Sequence, residues 1–163
     1  MYTTYGLILM TGLLALLFSF WRSTWIDRQE PGSDKMQEIG NAIREGAMAF
    51  IKAEYRVMAV FVIAVAVLLY FFNEARGDLL GLVGLSFVVG ALCSGLAGFI
   101  GLRVATKANH RTTHAAATSL NSALEIAFAG GSVMGLSVVG LGVLGLTILF
   151  AVYQPVYSGL PQT

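Results

Sequence analysis

Charge is what this sequence has least of. Asp, Glu, Lys and Arg make up 12% of its 163 residues, against about 25% in a soluble domain, so an ordinary water-soluble fold is excluded. Four stretches carry no charge at all: Met1–Trp21, Val57–Asn73, Leu79–Leu102 and Ile126–Thr163. Cysteine is almost absent too. Cys93 is alone, which excludes a disulfide within the chain and leaves it as a small packing residue. No proline falls between Gly32 and Gln154, so nothing in that interval forces a helix to break. A net charge of +1 gives no basic field for nucleic acid.

What is present is apolar: 56% hydrophobic residues and a mean hydropathy of +0.75 predict an all-α, polytopic transmembrane helix bundle. Residues 5–21, 55–72, 79–102 and 130–153 are each long enough to cross a hydrocarbon layer of ~30 Å as helix. The first run lacks a basic leader and a small-x-small cleavage site and is followed by Arg22, which marks a retained anchor. Arg22, Arg28, Lys35, Arg44, Lys52 and Arg56 fall in the first connection, and Arg103, Lys107 and Arg111 in the third. Arg76 alone falls in the second. This asymmetry predicts that connections 22–54 and 103–129 are cytoplasmic and both termini outside. Tyr2, Tyr5, Trp21 and Trp25 suit the interfacial belts of the first span. The expected location is the cell inner membrane.

The run "PGSDKMQEIGNAIREGAMAFIKAEYRV" opens on helix-start chemistry, with Ser33 or Asp34 as N-cap and Gln37 as capping-box partner. Met36, Ile39, Ile43, Ala47, Phe50 and Val57 form one stripe at 100° per residue, opposite Asp34, Glu38, Asn41, Glu45, Lys52 and Arg56. A continuous helix from Asp34 to Phe72 would be ~58 Å long and project beyond the membrane. Glu54 falls on the apolar stripe; it either pairs with Arg103 or Arg111 or faces water at headgroup level.

The third span carries two small-residue faces: Gly81, Gly84, Ala91, Gly95 and Gly98 on one, Ser86, Gly90, Ser94, Ala97 and Gly101 on the other. Such faces predict close neighbours on two sides. Ala127, Gly131, Gly135, Gly142 and Gly145 form a third small face on the fourth span.

Candidate chemistry is sparse. All nineteen Asp, Glu, Lys and Arg residues lie outside the cores of the spans, whereas an ion or proton path places ionisable groups inside them. His110 and His114 are four apart, but Arg111, Thr112 and Thr113 stand where a zinc hydrolase needs its Glu, and Glu125 is the only remote third ligand. They read as solvated histidines at a helix start. Asp27, Glu30, Asp34 and Glu38, interspersed with Arg28 and Lys35, read as a solvated charged surface rather than a Mg2+ site. No P-loop or G-x-S-x-G run occurs. Catalytic, cofactor-binding, metal and ion-pathway residues are therefore all expected to be none.

Three stretches resemble the N-terminal region of membrane-integral pyrophosphatases, ion pumps driven by hydrolysis of inorganic diphosphate. They are "IREGAMAFIKAEYR" (Ile43–Arg56), "SGLAGFIGLRV" (Ser94–Val104) and "ATKANHRTTHAAATSLNSALEIAFAGGSVMGLSVVGLGVLGL" (Ala105–Leu146). The resemblance implies a longer chain of about sixteen spans, a homodimer, and Mg2+-dependent hydrolysis coupled to Na+ or H+ transport, with K+ stimulation in some types. It also implies that the lipid bilayer and the pump's remaining helices are this segment's partners. The family's hallmark run Asp-Val-Gly-Ala-Asp-Leu-Val-Gly-Lys is absent, so no catalytic residue carries over and the chain is expected to be the first four spans of such a pump. The competing expectations are a stand-alone four-helix membrane protein, structural or binding in role, and a small transporter. Arg103, Lys107 and Arg111 are expected at a cytoplasmic rim that meets anionic lipid or passing diphosphate.

Overall fold

The computed structural model of the chain describes residues 2–74 and 82–158. Arg76, Gly81, Pro161 and the expected start of the third span at Leu79 lie outside the described residues. Four helices account for nearly everything described: α1 (Tyr2–Asp27), α2 (Asp34–Glu74), α3 (Leu82–Ala116) and α4 (Leu120–Ser158). All four are long and apolar enough to cross a membrane. The continuous helix expected from Asp34 is present and ends at Glu74. At 1.5 Å per residue α2, α3 and α4 reach roughly 61, 52 and 58 Å, well beyond a ~30 Å hydrocarbon layer. The stretch 103–129, polar in sequence, is helical except at residues 117–119. Arg103–Ala116 continues α3 instead of forming part of a connection. Pro155 lies inside α4, which runs on to Ser158.

Ser33 is the N-cap of α2. Its hydroxyl accepts the Met36 amide at 3.4 Å and its carbonyl the Gln37 amide at 3.0 Å. Gln37 donates instead to the Gly32 carbonyl at 3.0 Å, tying down the residue before the cap.

The helices pack antiparallel in the spatial order α1, α4, α3, α2. Among the described residues α1 and α2 share no packing interface. The two small faces of α3 point where the sequence placed them. A Cβ on Gly84 would meet the Ala66 carbonyl of α2 and one on Gly98 the Tyr55 hydroxyl, whereas one on Gly101 would meet Met134 of α4. Tyr55 also donates a hydrogen bond to the Gly95 carbonyl. The closest backbone approach joins α1 to α4: a Cβ on Gly140 would lie 2.8 Å from Leu16 Cδ2 and 3.1 Å from the Gly12 carbonyl.

The small face expected on α4 is corrected in part. A Cβ on Gly145 would meet Cys93 Sγ of α3 at 3.2 Å, but Gly131, Gly135 and Gly142 have nothing within 4 Å; the buried row is Ala123, Ile126, Ala129, Val133 and Ser137. The stripe expected on α2 is likewise turned away from α3. Ile39, Ile43 and Phe50 are exposed by 52%, 45% and 63%, while Gly40 and Ile51 are buried. Glycine periodicity marks where a backbone can be approached, not which helix approaches it.

The buried cluster of Ile26, Val104, Ala108, Ile126, Ala129 and Val133 gathers at one end, around the last turns of α1 and α3 and the first half of α4. That is where charges reappear in the sequence, so water is present to drive apolar burial. Each fully buried Ile or Val contributes roughly 1.5–3 kcal/mol. Deeper in the membrane that driving force fades. There the contacts are between hydroxyls and backbones: Ser19 Oγ lies 2.8 Å from Ser137 Oγ and 3.1 Å from the Val133 carbonyl; at the far end of the bundle Tyr153 donates to the Leu82 carbonyl at 2.8 Å.

Candidate functional site

Helix α1 connects to α2 across the end of α3, which stands between them there and touches α1 through the Lys107–Asp27 pair. Residues 28–33 make that crossing, within reach of six extended residues at ~3.4 Å each. They form a strap over the C-terminal half of α3, and the polar residues of α3 hold it. Arg111 Nε donates to the Gln29 carbonyl at 3.3 Å, and His114 Nε2 lies 3.0 Å from Glu30 Oε2. Lys107 Nζ bonds both oxygens of Asp27, at 2.9 and 2.8 Å. Gly32 turns the strap into α2 with φ +81°, a left-handed backbone conformation natural to glycine. A Cβ there would also meet Met36 Sδ at 2.8 Å and His114 Cβ at 3.0 Å. On the other side Arg22 stacks on the Trp25 ring, 4.6 Å from its centroid, and faces Glu125 of α4 at 4.0 Å.

The two histidines are therefore not at a helix start, as the sequence suggested, and His110 is partly buried, while the His114 side chain stays 34% exposed. They lie near the end of α3, each pressed on a glycine. His110 packs on Gly40, where a Cβ would come within 2.7 Å of Nδ1. Its Nε2 accepts from Arg111 Nη1 at 2.9 Å, which places the proton on Nδ1, and that buried atom has no hydrogen-bond partner. Burial, with the Arg111 charge beside it, holds the His110 imidazole below the usual histidine range.

Beneath the strap is a cavity of about 300 Å³ lined mainly by polar groups, including Asp27, Gln37, Arg44, Lys107, His110 and Arg111. Sequence reasoning singled out Lys107 and Arg111 but passed over Arg44. The available signal was the row Gln37, Gly40, Arg44, spaced by three and four, which is the α2 face that meets α3.

Glu54 is exposed and forms an ion pair with neither Arg103 nor Arg111; Arg111 is engaged by the strap. Asp27, Glu30 and Glu38 are bonded to Lys107, His114 and Lys35 respectively. Among the described residues no three His, Cys, Asp or Glu side chains converge as a metal site. The donor set here does not fit Mg2+, which needs carboxylate oxygens free of such cations. His110 and His114 face different glycines, and Glu125 faces Arg22, so these three do not converge either. At the opposite end Tyr5 donates to Gln154 Oε1 at 3.2 Å, and within the spans Cys93 packs beside Gly145.

Comparison with known proteins places this geometry. The sequence model of one family, described as inorganic H+ pyrophosphatase, matches residues 13–161. A Clostridium tetani protein named "Putative K(+)-stimulated pyrophosphate-energized sodium pump" is 45% identical over 144 residues, 88% of this chain and 20% of that protein. A K(+)-insensitive pyrophosphate-energized proton pump 2 of Moorella thermoacetica is 40% identical over 142 residues, 87% of this chain and 20% of the relative. A K(+)-insensitive pyrophosphate-energized proton pump of Caldanaerobacter subterraneus is 38% identical, covering 91% of this chain and 22% of the relative. The chain thus spans about a fifth of the length of the curated relatives it matches.

Proposed function

Because this chain belongs to the inorganic H+ pyrophosphatase family, we propose that it is the N-terminal scaffold of a membrane pump that couples Mg2+-dependent hydrolysis of inorganic diphosphate to movement of Na+ or H+. In this reading the four spans supply no catalytic group. They dock on the pump's remaining helices, which carry the chemistry and which pair as a homodimer. The basic end is cytoplasmic, both termini face outward, and the membrane is the cell's inner one.

One observation carries this reading. Ile39, Ile43 and Phe50 are exposed on the part of α2 that precedes its uncharged run, and Leu120 and Leu124 are exposed on the part of α4 that precedes its own. Lipid tails do not reach that level, and large apolar side chains left in water there mark a protein interface. The unmet glycines of α4, Gly131 and Gly135, offer a second close approach for a companion helix.

The test is reconstitution of the purified 163-residue chain in liposomes. It is expected to give neither diphosphate hydrolysis with Mg2+ nor uptake of Na+ or H+. Either activity from the chain alone would overturn the scaffold reading. Co-expression with the remaining helices of a relative should restore both activities. A Phe50→Asp, Ile43→Asp double variant should abolish that restoration while leaving the chain's own helix content intact. Restoration unaffected by the two aspartates would move the docking face off this part of α2, and no restoration at all would favour a stand-alone membrane protein instead.

A further inference from the structure

The cavity under the strap holds more unused cationic donors than its one carboxylate can engage. Asp27 has both oxygens occupied by Lys107. Arg111 uses Nε and Nη1 on Gln29, Lys107 and His110, so its Nη2 donors remain. Arg44 is only partly exposed and, among the described residues, forms no hydrogen bond or ion pair. A guanidinium offers five N–H donors in a planar fork, and here all of Arg44's are free. With Arg44, Lys107 and Arg111 cationic and Asp27 anionic, the lining carries two net positive charges. The carboxamide of Gln37 and the His110 ring complete a polar wall.

The position restricts what can enter. Asp27 is six residues beyond Trp21, and Lys107 and Arg111 lie one to three turns beyond Leu102, where the uncharged run ends. This is the headgroup level, open both to aqueous anions and to lipid phosphates.

We infer that the cavity between the strap, the first turns of α2 and the end of α3 binds a phosphate group, held by the Arg44 fork and the free Nη2 of Arg111. Arg–phosphate pairing is bidentate and charge-assisted. The phosphate belongs either to a soluble anion, inorganic phosphate or diphosphate, or to an anionic phospholipid. Binding is read without turnover, so this site stands or falls independently of the scaffold reading.

The experiment uses the full chain in nanodiscs of phosphatidylcholine, titrated calorimetrically with inorganic phosphate and with diphosphate. A second arm uses native mass spectrometry after extraction from vesicles with and without phosphatidylglycerol. Saturable binding of either anion, weakened at least tenfold in Arg44→Gln and unchanged in Arg103→Gln, would establish the site with a soluble ligand. Retained phosphatidylglycerol, lost in Arg44→Gln and kept in Arg103→Gln, would establish it as a lipid site. Arg44→Lys keeps the charge without the fork and should fall between, which separates ligand loss from misfolding. No binding in either arm, or equal loss in Arg44→Gln and Arg103→Gln, would overturn the proposal.

Discussion

At the residue scale one of the tightest fits among the described residues is that of His110 on Gly40, where a Cβ would come within 2.7 Å of Nδ1. The imidazole sits among Arg111, Lys107, Arg44 and Asp27, with Nε2 already accepting from Arg111. A second proton would have to enter a site that burial and the Arg111 charge both oppose. The folded state therefore binds that proton less readily than the unfolded chain does. The His110 contribution to stability is complete above the ordinary histidine value of about 6.5, and it declines as pH falls from there toward the lowered folded value. Thermal unfolding in detergent should show Tm falling between pH 7 and pH 5, and His110→Asn should flatten that slope. An unchanged slope in the variant would place the acid sensitivity elsewhere. Neither the glycine contact nor the Arg111 bond is visible in the sequence, where two histidines four apart suggest only a common helix face.

At the element scale small residues divide into those already met and those left open. Gly140 faces Leu16 and the Gly12 carbonyl, so Gly140→Ala forces α1 and α4 apart, an overpacking cost of about 1–3 kcal/mol. Gly131 faces open space, and Gly131→Ala should instead stabilise the isolated chain by up to ~1 kcal/mol through helix propensity. Unfolding of the two variants in denaturant checks the opposite signs. The sequence read α3 well because its two glycine faces have both of their neighbours, α2 and α4, inside this chain. It read α2 and α4 less well for the same reason inverted. Their stripes of Ile39, Ile43 and Phe50, and of Gly131 and Gly135, are real amphipathic signals whose counterparts are not among the described helices. Helix boundaries were predictable where capping chemistry is explicit, as at Ser33. They were not at Arg103–Ala116, where polar composition suggested a connection and the backbone simply remains helical.

At the scale of the whole molecule the basic residues among those described collect at one end, with the strap, the cavity and the apolar core. If that end is cytoplasmic, a cysteine at position 119 in a Cys93→Ala background should react with a membrane-impermeant maleimide in inverted vesicles and be protected in right-side-out cells. The reverse pattern would invert the topology. Position 119 lies in the short turn between α3 and α4 and is partly exposed.

The spatial order α1, α4, α3, α2 has a consequence for how the protein is made. A ribosome that has released the first two spans has inserted two helices with no surface for one another, joined by six residues whose anchors on α3 do not yet exist. The Ser19 hydroxyl waits in lipid for a mate more than a hundred residues downstream. Only when the α3–α4 hairpin arrives and slides into the gap between its elders do the tether, the buried serines and the apolar core form together. Assembly of this segment is thus a late, concerted wedging by its last-made half, and whatever holds the first pair apart in the meantime is part of its folding pathway.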